Sequence, residues 1–260
     1  MAGNRGEAIA AAIARRRDFV EYLAGEPRTQ AAVAAALDVS RSTVTRAMQE
    51  LQAAELVARV DGQYRTTRLG EVVLETYERY HSQLSELAAA EGLFENLSPE
   101  APFESWLLTE GTYYPVQRGA SFRVRERVNE QFREATRIVG MGRTRSERES
   151  ADVYRQKVIE EDRPVENVLS VDLYEHIRNL DWAAEFFGAE NLDVYVLESV
   201  PYGLFVIDRP QGAVMVMVVY DADDAMKGVL LGETPSIRAW ARDVYESYRA
   251  AATPLAEFEG

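Results

Sequence analysis

A mixed α+β/α/β chain is expected, on three observations. Residues Thr29 to Leu51, TQAAVAAALDVSRSTVTRAMQEL, carry apolar side chains at helical spacing in two short segments. Asp61-Gly62 separates two alternating segments, and beyond Pro102 β-rich runs alternate with helical ones. These patterns divide the 260 residues into an N-terminal helix-turn-helix with a β-hairpin wing (1–70), a long helix (71–97) and an α/β domain with a mixed sheet (98–260).

The first element is an amphipathic helix bearing Ile9, Ile13, Phe19, Val20 and Leu23, with Arg15-Arg16-Arg17 within it. That composition is unlike a secretory leader. In the next pair, Val33 and Leu37 line the first helix, Val39 plugs the turn, and Val44, Met48 and Leu51 form the inner stripe of the second. Thr29 and Ser40 stand where N-caps are needed, and neither is followed by the acid or amide of a full capping box. The outward face of the second helix is then Ser40, Arg41, Ser42, Thr43, Thr45, Arg46 and Gln49. Short hydroxyls and forked cations are the groups that hydrogen-bond phosphates and base edges in a major groove.

The wing follows from Asp61-Gly62, a dipeptide suited to the positive φ angles of a two-residue hairpin turn. It is flanked by Val57-Ala58-Arg59-Val60 and Tyr64-Arg65-Thr66-Thr67. Arg59, Gln63, Arg65 and Arg68 lie on or beside it, placed for phosphate or minor-groove contacts. With Thr29 and the outward face of the helix beginning at Ser40, they make up the expected DNA-binding set. A small helical bundle with an added hairpin is the alternative. Two places that often hold Gly, in the turn and before the wing, hold Asp38 and Glu55 here. Aspartate tolerates the left-handed conformation, so the turn is expected to survive, whereas the corner at Glu55 is expected to be shaped differently.

From Leu69 to about Leu93 there is no proline, and Val73, Tyr77, Tyr80, Leu84 and Leu87 follow a 4, 3, 4, 3 spacing. This is the seam of a helix that packs on a similar partner, so a dimerisation helix and a homodimer are expected. The competing expectation packs the stripe on the chain's own second domain.

After the proline-bearing segment Leu97 to Pro102, strands are expected at Phe103–Leu108, Arg137–Met141, Val165–Val171, Leu192–Glu198, Leu204–Arg209, Ala213–Tyr220 and Gly228–Leu231. Helices are expected at Ser121–Ala135, Ser146–Asp162, Leu173–Gly188 and Pro235–Ala252. The alternation implies a parallel or mixed sheet ending in an antiparallel hairpin around Pro210-Gln211-Gly212. Thr234-Pro235 supplies a cap and a first-turn proline for the last helix.

Composition narrows the function. No apolar run approaches the length of a membrane span, so no membrane partner is expected and the protein is read as cytoplasmic. With no cysteine, and only His81 and His176, thiolate chemistry is excluded and no metal or other cofactor is expected. The net charge of −14 conflicts with the basic footprint of DNA-binding proteins until it is partitioned. Residues 1–70 hold ten arginines against eight acids, a balance of +2, which leaves −16 to the remaining 190 residues. Only Lys157 and Lys227 are lysines among 29 basic residues. Such a chain is similar to proteins of salt-in halophiles, in which counterion release adds little to DNA affinity; an acidic mesophilic protein is the other explanation.

The whole chain resembles archaeal winged-helix transcriptional regulators of the methanogen filamentation-regulator type. The likeness rests on TQAAVAAALDVSRSTVTRAMQELQAAELV, on YRTTRLGEVV after the wing, and on the terminal GVLLGETPSIRAWARDVYESYRAAATPL. The last segment is similar to the closing strand and helix of the TrmB-like sensor domain, and distantly to phospholipase D folds. The resemblance implies a ligand-responsive or signal-responsive transcription factor, whose α/β domain is expected to sense a small-molecule effector or a partner.

Catalysis is not expected. Phospholipase D chemistry requires H-x-K-x(4)-D, but His81 is followed by Ser82-Gln83 and His176 by Ile177-Arg178; no G-x-S-x-G elbow is present either. Gly140-Met141-Gly142-Arg143 offers an anion site between strand and helix, with Arg143 or Arg145, or simply a tight turn. Tyr113, Tyr114, Arg118 and Arg143 are the candidate effector-binding residues. Asp221, Asp223 and Asp224 suggest either a divalent ion or a solvated acidic loop. Two rival functions stand beside a dimeric regulator of double-stranded DNA. One is a sensor enzyme handling a phosphate or nucleotide, and the other is a ligand-free architectural DNA-binding protein.

Overall fold

The computed structural model describes residues 2–116, 121–143 and 148–258, which form two compact units, Met1–Ser85 and Glu86–Gly260. The first unit is a winged helix-turn-helix: α1 (Ala2–Leu23), α2 (Gln30–Ala36), α3 (Arg41–Ala53), the wing strands β1 (Val57–Val60) and β2 (Gln63–Thr66), and α4 (Arg68–Ala89), which runs past the unit's end. Its core gathers Ile13, Phe19, Val20 and Leu23 from α1 with Val33, Val44, Met48, Leu51 and Leu56, all buried. Leu37 and Val39 are partly buried against the same core.

Local chemistry sets each boundary. Thr29 Oγ1 accepts the Ala32 N–H at 3.3 Å, and Ser40 Oγ accepts the Thr43 N–H at 3.1 Å, so both helices start on side-chain caps. Both end on a left-handed residue that is not glycine, Asp38 (φ 51°) and Glu55 (φ 60°). The Glu55 corner therefore departs from expectation, because it keeps the conformation a glycine would take. The Leu56 N–H reaches Leu51 O at 2.9 Å and the Glu55 N–H reaches Gln52 O at 3.0 Å. Leu51 and Leu56 are both fully buried beside this pair, which is a complete Schellman cap. It offsets the ~1–2 kcal/mol that a left-handed L-residue costs.

The wing turns at Asp61 (φ 51°) and Gly62 (φ 80°), with Val60 opposite Gln63. These angles are those of a type I′ turn. Arg28 adds a one-residue third strand, exchanging backbone hydrogen bonds of 2.8 Å with Tyr64 in both directions.

The seam expected along α4 is divided. Val73 and Tyr77 pack on the first core and Leu87 on a core of the second unit, while Tyr80 and Leu84 are 55% and 45% exposed.

The second unit begins with α5 (Glu91–Phe94) and α6 (Trp106–Glu110), continues through β3 (Thr112–Pro115), α7 (Ser121–Arg133), β4 (Arg137–Gly142) and α8 (Arg148–Arg155), and then enters a π-helical turn, Gln156–Glu160. It goes on through β5 (Val165–Ser170), α9 (Val171–Ile177), α10 (Ala183–Phe187), β6 (Leu192–Leu197), β7 (Gly203–Asp208), β8 (Val214–Tyr220) and β9 (Met226–Gly232). It closes with α11 (Pro235–Ala251), β10 (Thr253–Pro254) and α12 (Leu255–Phe258). The sheet order is β10-β6-β5-β4-β7-β8-β9-β3, parallel only across β4, β5 and β6 and antiparallel at every other pairing.

Alternate strand positions feed two cores, which makes three layers. One face packs α7, α8, α9 and α10 through Val124, Val128, Phe132, Val153, Leu173 and Phe186. The other packs α6 and α11 through Leu107, Ile237, Ala241 and Tyr245.

Three expected elements are corrected. Phe103–Leu108 is not a strand; Leu107 and Leu108 are consecutive buried residues on α6, and the strand is the Thr-Tyr-Tyr-Pro segment that follows. A short apolar run does not distinguish the two by period, and Pro115 fits at the end of an edge strand that needs no N–H there. The helix expected from Ser146 to Asp162 is described from Arg148 and becomes π-helical after Arg155. The one expected from Leu173 to Gly188 breaks after Ile177, where Asn179 Nδ2 donates to Glu175 O at 2.6 Å and takes the carbonyl a continuing helix would use.

Candidate nucleic-acid interface and ligand cavity

In the first unit, α2 and α3 bring together the residues picked from sequence. Ser40, Arg41, Ser42, Thr45 and Arg46 are exposed and Thr43 is half-buried, while Val44, Ala47 and Met48 on the opposite side are buried. Several hydroxyls are already engaged. Ser40 Oγ is within 2.8 Å of Ser42 Oγ and 2.9 Å of Thr43 Oγ1, so the start of α3 carries a linked hydroxyl cluster.

Gln30 is a member that sequence reasoning missed. Its Nε2 donates to Thr45 Oγ1 at 2.7 Å and to Arg41 O at 3.1 Å, fastening α2 to the outer face of α3. An amide one residue after the Thr29 cap was the available signal.

The arginines divide into two classes. Arg5, Arg16, Arg17 and Arg28 pair with Glu55, Glu50, Glu21 or Glu78, and Glu26 respectively. Arg16 holds Glu50 through Nε at 2.9 Å and Nη2 at 3.2 Å, and this fork keeps the carboxyl below its ordinary value. Arg68, expected to contact DNA, pairs with Glu71 at 2.9 Å, though its side chain remains 86% exposed. Among the described residues of this unit, Arg15, Arg41, Arg46, Arg59 and Arg65 have no carboxylate partner, and all five are exposed; Arg15 stands apart on α1, where its Nε donates to Ala11 O at 3.2 Å. Arg59 lies 5.5 Å from the Tyr64 ring centroid, which braces it on the wing beside exposed Gln63 and Arg65.

In the second unit, a cavity of about 270 Å³ opens between the sheet and the helices on the α7 to α10 side. Its floor comes from Gly142 on β4, Asn167 and Leu169 on β5, Gly203 and Phe205 on β7, and Val218 and Tyr220 on β8. These strands meet where the parallel run ends and the antiparallel run begins. At such a switch point diverging connections leave a crevice beyond the strand ends.

Helices supply the walls. Val128 and Phe132 come from α7, Tyr154 from α8, Leu173 and Ile177 from α9, and Phe186 from α10, with Trp182 just before it. The rings brace one another edge to face: Phe132 with Phe205 at 5.1 Å and 77°, and Trp182 with Phe186 at 5.3 Å and 72°. Burial pushes the Tyr154 hydroxyl far above its ordinary value, and it stays neutral, hydrogen-bonded by Asn167 Nδ2.

Of the expected effector residues, Arg143 lines this cavity. Its guanidinium donates to Pro201 O at 3.2 Å and stands 3.7 Å from Asp224. Tyr113 and Tyr114 do not line it: alternation on β3 sends Tyr113 to the α11 side and Tyr114 to the α7 side, where Arg127 covers its ring at 4.5 Å. Arg118, Arg145 and Ser146 lie outside the described residues.

Gly140 and Gly142 both lie within β4 and not in a turn. A Cβ on Gly140 would sit 2.4 Å from Leu204 O, so the glycine answers to close strand packing. Asp221 accepts the Asp223 and Ala225 N–H groups and pairs with Lys227 at 2.7 Å. The acidic loop is thus internally bonded, and among the described residues no cluster has the make-up of a metal site.

The profile of the family described as methanogenesis regulatory protein FilR1, middle domain, matches residues 121–251, half of the chain. The chain belongs to this family. Residues 5–88 match a second family, the HVO_A0261 N-terminal domain. No curated protein matches.

Among solved structures, TrmBL2, described as an archaeal chromatin protein with a novel mode of DNA binding, superposes at 13% identity with a TM-score of 0.43, covering 95% of this chain and 92% of that one. NucT from Helicobacter pylori gives 10% identity and a TM-score of 0.45 over 56% of this chain and 98% of that one. An O-methyltransferase family protein from Burkholderia thailandensis gives 16% identity and a TM-score of 0.25 over 76% of this chain and 61% of that one. All three fall below a TM-score of 0.5, so the family assignment rests on the profile. Among the described residues no helix is long and apolar enough to cross a membrane.

Proposed function

We propose that this FilR1-family chain is a sequence-specific DNA-binding transcription regulator. It acts as a homodimer, and its α/β domain senses a small molecule and alters half-site spacing. The observation that carries the DNA-binding role is the division of the arginines. Arg5, Arg16, Arg17 and Arg28 are matched to carboxylates and Arg15 on α1 is not, whereas all of the α3 arginines and those of the wing strands, that is Arg41, Arg46, Arg59 and Arg65, are left exposed without one. Four unneutralised guanidinium groups beside a hydroxyl cluster suit backbone phosphates and base edges. Family membership supports the regulatory role.

Dimerisation is supported by Leu69, Val72, Tyr80 and Leu84, apolar residues 37–55% exposed along α4. The cavity supports sensing over a ligand-free architectural role. Coupling of roughly 1–3 kcal/mol between the cavity and DNA would be enough for regulation. The near absence of lysine and the acidic second domain support operation at high salt.

Genome-wide mapping of bound sites at native salt supplies the operator, and Arg46→Ala then tests the interface. The variant is expected to lose operator retention while keeping its melting temperature. Unchanged retention would place the DNA on another face.

A further inference from the structure

The cavity has a polarity gradient that specifies its occupant. Most of its floor and walls are apolar or aromatic; Ser121 and His176 add polar groups that are not buried, and the buried polar side chain is Asn167, which is 4% exposed. Asn167 Nδ2 is spent on the Tyr154 hydroxyl, whereas its Oδ1 is buried with no partner. A buried acceptor left unpaired is costly, and a ligand that donates there recovers that cost. The Tyr154 hydroxyl beside it is neutral, so the deep end accepts a hydrogen bond but offers no charge to balance an ion.

The charged side chains of the lining, Arg125, Arg143 and Asp224, are all partly exposed, and Arg143 stands 3.7 Å from Asp224. The Tyr220 hydroxyl lies within the field of all three. At about 270 Å³ the space falls just under the ~300–1,000 Å³ of drug-sized sites, which admits one flat ring system with a short arm and excludes a dinucleotide.

Building on the sensing role above, we propose that this cavity binds a small aromatic carboxylic acid bearing one hydrogen-bond donor on its rings. The donor meets Asn167 Oδ1, and the carboxylate meets the guanidinium groups of Arg143 and Arg125. The rings lie among Phe132, Phe186 and Phe205, whose edge-to-face packing preforms the slot. The binding is non-covalent, and the polar end remains nearest to water.

Calorimetric titration of the full-length protein with indole-3-acetate tests this. Naphthalene-1-acetate, which lacks the ring donor, and tryptamine, which replaces the carboxylate by an ammonium group, serve as comparisons. Indole-3-acetate is expected to bind at least about tenfold more tightly than either. Asn167→Leu should erase the preference over naphthalene-1-acetate, and Arg143→Gln should reduce the preference over tryptamine. Val218→Phe, which fills the floor, should abolish binding of all three; it also keeps the test open should Asn167→Leu not fold.

Equal affinities for the three compounds, or binding that survives Val218→Phe, would overturn the assignment. The sensing role is scored separately, by operator retention. Indole-3-acetate binding without a change in retention supports the site and removes the sensing role. Retention that answers to other metabolites while all three probes fail overturns the ligand class and keeps sensing.

Discussion

Substitution at Ser40 separates folding from recognition at the start of α3. Its Oγ accepts the Thr43 N–H at 3.1 Å and sits within 3 Å of two further hydroxyls, so Ser40→Ala removes the cap and leaves the cluster without its centre. Losing a serine N-cap costs typically ~1 kcal/mol, within a range of 0.5–2. For a domain of this size that corresponds to a fall of about 4–8 °C in its melting transition. Ser40→Asp restores the cap, since aspartate ranks with serine there, and its charge interacts favourably with the helix N-terminus. Its melting temperature should therefore match or exceed the parent's. DNA retention should move the other way, because the new carboxylate would face phosphates from the exposed end of α3. Scanning calorimetry and operator retention measured on the same preparations give both readouts. A melting temperature unchanged within about 1 °C in Ser40→Ala would refute the cap. Full operator retention by Ser40→Asp would refute the orientation of α3 towards DNA.

Two further predictions concern the two units separately. Glu50 is held below its ordinary value of 4.5 chiefly by its hydrogen bond to Arg16. A depressed folded-state value stabilises above the unfolded value and is lost as pH falls through 4.5 and below. Glu50→Gln should therefore be less stable than the parent near neutrality and converge with it in acid; a gap constant from about pH 6 to about pH 3 in thermal melts would contradict this. Gly140→Ala places a Cβ 2.4 Å from Leu204 O and 2.9 Å from Phe205 Cα, backbone atoms with little room to yield. It should destabilise the sheet domain by roughly 1–3 kcal/mol, visible as a fall in that unit's transition alone.

The winged helix was legible because short-range rules govern it. Thr29 and Ser40 cap as their chemistry dictates, Asp61-Gly62 turns as its dipeptide prefers, and the inner stripe of α3 is buried residue for residue. Glu55 was misjudged because a Schellman cap is decided by what surrounds it. The burial of Leu51 and Leu56 lets a glutamate occupy the left-handed position. In the second unit, alternation located most strands, but Phe103–Leu108 carried no period capable of separating helix from strand. The cavity was illegible for a different reason. Its residues come from nine elements and the loops between them, at most four from any one, and most of them, such as Leu169 or Val218, look like ordinary core. Asn167, the residue that gives the cavity its polarity, sits in a strand as an isolated amide with nothing nearby in sequence to mark it.

The conflict between an acidic chain and a DNA-facing surface dissolves at the level of pairs. The balance of +2 over residues 1–70 describes a nearly neutral domain, too little to attract DNA by itself. What matters is where each carboxylate stands. Arg5, Arg16, Arg17 and Arg28 are each matched within 4 Å, and two of the carboxylates so neutralised are Glu50 on α3 and Glu55 between α3 and the wing. Surface pairs of this kind add little stability, and molar salt, with a screening length near 3 Å, would weaken them further. Their consequence is local: Glu50 and Glu55 are taken up by arginines of α1, while Arg41 and Arg46 of α3 and Arg59 and Arg65 of the wing keep no carboxylate partner. In the proposed high-salt setting long-range attraction would be screened as well, and those groups would act through direct contacts. The Ser40, Ser42 and Thr43 hydroxyls beside Arg41 and Arg46 are suited to short-range hydrogen bonding that screening does not remove.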